Sequence, residues 1–146
     1  MNAFSRTAWL AVSAALVAAV YVLGAYSSAA FAADVKVVLA GDQEVPPVKS
    51  AGSGSGTITV GADKSVSGSV TTKGISGTAA HIHEAAAGKN GSVIIPLTKE
   101  GDNTWKVPAG AKLSDAQFAS FEAGNLYINV HTEANPQGEL RGQLKP

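Results

Sequence analysis

No cysteine occurs among the 146 residues, and the only methionine is Met1. A disulfide framework is therefore excluded, and stability has to come from a packed core. With thiolate and thioether both missing, a metal site in the folded domain is limited to nitrogen and oxygen donors. A charge imbalance is missing as well: 11 Lys and Arg stand against 11 Asp and Glu. A nucleic-acid surface needs a basic excess, so no nucleic-acid partner is expected. Histidine is scarce, with three in the whole chain, and where those three lie carries most of the functional information.

The N-terminal segment reads as an export signal. It has one side-chain charge, Arg6, then the apolar run "AWLAVSAALVAAVYVLGAY" and the small-residue stretch "SSAAFAA". A basic start, an apolar middle and the A-x-A site Ala30–Phe31–Ala32 together predict cleavage after Ala32. Cutting one residue later would place bulky Phe31 at the −3 position. The other reading is an uncleaved anchor, since the apolar run is just long enough to span a bilayer. Residues 1–32 are thus expected to be a signal peptide and residues 33–146 one domain with its own core. The mature protein is expected to be periplasmic or secreted, with no membrane contact after cleavage.

The mature chain reads as short strands broken by glycine. "DVKVVLA" places Val35, Val37 and Leu39 at alternate positions, the period of a half-buried strand. "EVPP" predicts a rigid turn, with Glu44 bonding backbone donors or Arg141. "AGSGSG" reads as a flexible linker between strands. "GTITV", "SVSGSVTT", "TAAHIH" and "SVIIPL" are rich in β-branched residues and bounded by turn formers. One helix is predicted in "LSDAQFASFEAG": Ser114 and Gln117 have capping-box spacing, Leu113, Phe118 and Phe121 cover one side, and Gly124 ends it. "NLYINVHT" and "ELRGQL" close the chain across the turn "EANPQG". Many short strands and one short helix predict an all-β Greek-key sandwich or barrel.

Alternation then places the histidines. Leu126, Ile128 and Val130 share one face of their strand, so Tyr127, Asn129 and His131 share the other. His81 and His83 lie opposite Ala80 and Ile82, while Glu139, Arg141 and Gln143 lie opposite Leu140 and Leu144. Apolar residues claim the core in all three strands, which sends the histidines to the polar, outward face. Positions i and i+2 have Cβ atoms about 6.5–7 Å apart and cross-strand neighbours are about 5 Å apart, within reach of converging imidazoles. His81, His83 and His131 are therefore candidate ligands to one ion if their strands pair, with Glu133 a further candidate on the same face. Three ligands leave an open position, the pattern of a reactive rather than a closed site. The alternative is structural, with the histidines hydrogen-bonding Tyr127, Asn129 or a turn.

Three segments, "LAGDQEVPPVKSAGSGSGTITV", "GISGTAAHIHEAAAGKNGSVIIPL" and "FEAGNLYINVHTEANPQGELRGQL", together resemble the CHRD domain, named after its occurrence in chordin. The resemblance runs from about Val37 to Leu144. It implies an immunoglobulin-like or superoxide-dismutase-like β-barrel and a secreted location, and no settled activity for single-domain bacterial members. Growth-factor binding by chordin is associated with cysteine-rich modules, which this chain lacks. "HIHE" is also similar to the H-V-H-E segment of copper–zinc superoxide dismutase. Three histidines cannot build that two-metal site, so dismutase activity is not expected.

The expected function is binding of a single divalent transition metal, one ion per chain, through the three histidines. Copper(II) is favoured over zinc on its intrinsic affinity for nitrogen. Binding, storage or sensing is expected rather than turnover, and no catalytic residue is assigned. The alternative is a metal-free adhesion or interaction module. Its face of Tyr127, Asn129, Arg141 and Gln143 would then meet an extracytoplasmic protein or glycan.

Overall fold

Alternating apolar residues set the strands and aim them at one core. In β1 (Ala33–Leu39), Val35, Val37 and Leu39 are buried while Asp34, Lys36 and Val38 face solvent. The structure, a computed structural model, describes residues 32–146. All but the last residue of the expected signal segment lies outside the described residues. Among the described residues no helix is long and apolar enough to cross a membrane.

The strands form two antiparallel sheets. One has the order β1-β2-β3-β7-β6, with β2 at Ser53–Val60, β3 at Val66–Lys73, β6 at Thr98–Glu100 and β7 at Thr104–Lys106. The other has the order β5-β4-β8-β9, with β4 at Gly77–Glu84, β5 at Ser92–Pro96, β8 at Leu126–Thr132 and β9 at Leu140–Leu144. Their inner faces pack Ile58, Val70 and Trp105 together with Ile82, Ile128, Val130 and Leu140. At about 1.5–3 kcal/mol for each fully buried branched or aromatic side chain, such a core can hold the domain without a disulfide. Ala40 and Arg141 exchange backbone hydrogen bonds of 3.0 and 3.1 Å, tying the end of β1 to β9 and closing one side of the sandwich. The expected all-β sandwich is the observed one.

Among the described residues the one α-helix, α1 (Asp115–Glu122), begins as its sequence predicts. Ser114 Oγ accepts from Gln117 N, and the Gln117 side chain accepts from Ser114 N. Phe121 is buried and Phe118 packs against the core. Gly124, at φ +73°, ends the helix in the left-handed region that glycine adopts without a Cβ clash.

"AGSGSG" departs from its reading as a linker, because Ser53–Gly56 belong to β2. Its glycines serve close approach rather than flexibility. A Cβ on Gly56 would run into Ser69 O and lie 2.7 Å from Val70 Cα in β3. A Cβ on Gly54 would lie 2.7 Å from Leu39 Cδ1. Gly56→Ala is therefore expected to destabilise the domain by about 1–3 kcal/mol, the cost of overpacking. Urea denaturation checks this, and an unchanged midpoint would show that β2 and β3 can part freely. The β6–β7 hairpin was not visible as strands in the sequence. Each strand has three residues, too few for alternation to register.

Candidate metal centre

The central pair of the second sheet, β4 and β8, carries all three histidines. Their antiparallel register sets His81 opposite Asn129, His83 opposite Tyr127, and Ala79 opposite His131. Ala80, Ile82, Ile128 and Val130 are buried in the core, so the intervening residues share the outer face. His81, His83 and His131 come together there, each offering one ring nitrogen, with those atoms within 4.8 Å of one another.

Two backbone carbonyls fix the rings. His83 Nδ1 donates to Gly91 O at 3.0 Å, and His131 Nδ1 donates to Pro136 O at 3.0 Å. A ring that holds its proton on Nδ1 keeps a free lone pair on Nε2. His81 Nδ1 lies 3.0 Å from His131 Nε2. Without an ion, a proton on His81 Nδ1 has to fill that gap, because His131 Nε2 is already the acceptor end of its ring. His83 Nε2 is buried and has no hydrogen-bond partner among the described residues. Two imidazole nitrogens about 2.0–2.1 Å from one ion, at ordinary tetrahedral or square-planar angles, lie roughly 2.8–3.4 Å apart. The His81–His131 separation falls in that range, and a nitrogen of His83 lies within 4.8 Å of one on each of the other two rings.

Tyr127 supports His83. Its ring stacks on His83 with centroids 4.8 Å apart and planes 9° apart. On its other side the Arg141 guanidinium carbon lies 3.5 Å from the ring centroid. Gly91 N donates to Tyr127 Oη at 3.1 Å, so one residue orients both His83 and its stacking partner.

Burial lowers the pKa of all three imidazoles below the ordinary 6.5, and their mutual repulsion lowers His81 further. Arg141 adds to the lowering at His83, partly opposed by the Gly91 hydrogen bond. The rings are therefore neutral at pH 7, as ligation requires. The native state takes up protons less readily than the unfolded chain. The stability that the histidines contribute is thus present above pH 6.5 and lost as pH falls below it. Metal affinity is expected to stay level between about pH 7 and 8 and to drop only below the ordinary histidine value, as protons compete for the three rings. Competition titrations across pH 5–8 check this, and a steep fall already at pH 7.5 would contradict it.

Glu133 does not join the histidines. β8 ends at Thr132, and the chain turns back as Asn135 N donates to Thr132 Oγ1. Alternation therefore stops one residue short, and Glu133 is left exposed. The carboxylate used nearby is Glu139, which accepts from Ser50, Thr132 and Asn135 and holds the turn that presents Pro136 O.

The polar face is also not the open surface that alternation suggested. Tyr127, Asn129 and Arg141 are each at most 3% exposed. The "EVPP" turn and the Ala85–Gly91 loop lie over them. Arg141 donates to Ala86 O and Asn90 Oδ1, Gln143 donates to Ala85 O, and Asn90 donates to Val45 O. Alternation reports which side of a sheet a residue takes, not what covers that side. The carbonyls of Gly91 and Pro136 were equally illegible, because a backbone acceptor has no side-chain signature.

The family model of the CHRD domain matches residues 35–144, nearly all of the described chain and all three histidines. The chain belongs to the CHRD domain family. No curated protein and no solved structure matches it significantly. In this CHRD domain the histidine cluster sits on the outer face of the second sheet, with one loop carbonyl bonded to each of two rings.

Proposed function

We propose that this is an exported CHRD-domain protein that binds one divalent transition metal through His81, His83 and His131. Copper(II) is preferred over zinc, since an all-nitrogen donor set without thiolate follows the general affinity order. The observation that carries the reading is how two of the rings are held. Gly91 O and Pro136 O take the Nδ1 hydrogens of His83 and His131, which leaves each Nε2 with a lone pair: the first is buried with no partner among the described residues, and the second faces His81 Nδ1 at 3.0 Å. Carbonyls bonded to the far nitrogen are the usual means of orienting a ligand imidazole and raising its basicity. A purely structural role would leave no reason for an unpaired nitrogen beside two further imidazoles.

Holding or sensing the ion is favoured over turnover, since the neighbouring carboxyl Glu133 is turned away and no other acid or base joins the cluster among the described residues. Burial of Tyr127, Asn129 and Arg141 leaves an adhesion module without the contact face assigned to it. Elemental analysis of tag-free protein recovered from the exporting cell's extracytoplasmic fraction tests the proposal. The expected result is stoichiometric copper, or zinc where copper is withheld, on a chain whose N-terminus is Ala33 by mass spectrometry. Metal-free protein that takes up neither ion on dialysis would defeat it.

A further inference from the structure

Among the described residues, two side-chain atoms on the outer face of the second sheet are buried without a partner: His83 Nε2 and Asn129 Oδ1. The proposed ion accounts for the first and not for the second. Asn129 is 2% exposed and lies between His81 of β4 and Arg141 of β9. Its Nδ2 donates to Glu44 Oε1 at 2.5 Å. A Cβ on Gly138 would meet both Asn129 Nδ2 and Glu44 Oε1, so the amide nitrogen faces the turn that leads into β9. Oδ1 is the other arm of the planar amide, on a residue whose direct cross-strand partner is His81 and which lies two residues from His131 on the same face of β8. A buried carbonyl-type oxygen without a donor is rare in folded proteins, and an ordered group that supplies the hydrogen is the usual explanation.

Three imidazoles leave a position on the ion for a fourth ligand. We propose that Asn129 Oδ1 accepts a hydrogen bond from that fourth ligand, so that the centre selects ligands carrying hydrogen on the ligating atom. Water is the first of these and simple amines the next. Anions with lone pairs only, such as azide or a halide, meet Oδ1 lone pair to lone pair in a place where neither is hydrated. Asn129 is thus a positioning residue that sets ligand preference without touching the ion. The inference rests on the metal-binding reading above.

The test uses the processed full chain loaded with copper(II). Azide is titrated in, read by its charge-transfer band, and pulsed EPR reads the exchangeable protons of bound water. Wild type is expected to show an ordered water and to bind azide weakly, at about millimolar or worse. Asn129→Leu is expected to gain about tenfold in azide affinity, the scale of one lost unfavourable contact, and to lose the ordered-water signal. Should leucine not fit, Asn129→Val, well suited to a strand, gives the same comparison. Micromolar azide binding by wild type, or unchanged azide affinity in a folded, copper-loaded leucine or valine variant, overturns the proposal and leaves metal binding standing. Failure of wild type to take up copper at all defeats the metal reading instead.

Discussion

Replacing any one of His81, His83 or His131 by alanine is expected to lower copper(II) affinity at least a hundredfold, about 2.8 kcal/mol or more. On the proposed reading each ring supplies one of three nitrogen donors, and among the described residues no carboxylate joins the cluster to take its place. His81 and His131 are half-buried and outside the apolar core, so their loss is expected to leave the β circular-dichroism spectrum unchanged. His83 differs. It stacks on Tyr127 and bonds Gly91 O, so His83→Ala should also cost about 1–2 kcal/mol of metal-free stability. Glu133→Ala provides the contrast, with affinity unchanged because that side chain is exposed and apart. Calorimetric or competition titrations separate the cases. Three alanine variants that bind copper like wild type would return the histidines to a structural role.

The site was legible where a side chain's direction is fixed by period alone. Val35, Val37 and Leu39, then Ala80 and Ile82, then Leu126, Ile128 and Val130 all went to the core as their spacing required. With those faces fixed, the three histidines had to share the remaining side of β4 and β8. Their convergence needed one more fact, that the two strands are neighbours in the sheet. Three kinds of information lay beyond that reach. Loops that cover a sheet face leave no periodic trace, which is why Tyr127, Asn129 and Arg141 were placed in the open. Backbone acceptors such as Gly91 O and Pro136 O have no residue signature. Glycine-rich sequence is ambiguous between a mobile linker and a strand packed too closely for side chains, and Ser53–Gly56 proved to be the second.

Glu44 is buried under the "EVPP" turn, and its replacement is expected to show a large effect that depends on pH. Burial pushes its carboxyl up to about 7 from 4.5, and the attraction of Arg141 and the hydrogen bond from Asn129 offset this only in part. A carboxyl raised in the native state is held more favourably when protonated. Its contribution is fully present below pH 4.5 and is lost as pH rises through about 7. The shift corresponds to about 3 kcal/mol lost between those limits, as an order of magnitude. Gln keeps the shape and an oxygen to accept from Asn129 Nδ2, and it never ionises. Glu44→Gln should therefore match wild type near pH 4.5 and exceed it by about 2–3 kcal/mol at pH 8. The histidines titrate in both proteins, so their opposite pH trend cancels when the two are compared at each pH. Urea denaturation of the pair at pH 4.5, 6 and 8 reads the difference directly, and a gap that does not grow with pH would sink the expectation. Because Glu44 lies beyond Asn129 and touches no histidine, copper(II) affinity should move less than about threefold in the same variant, under 1 kcal/mol. A larger loss would mean that the carboxylate itself is felt at the ion.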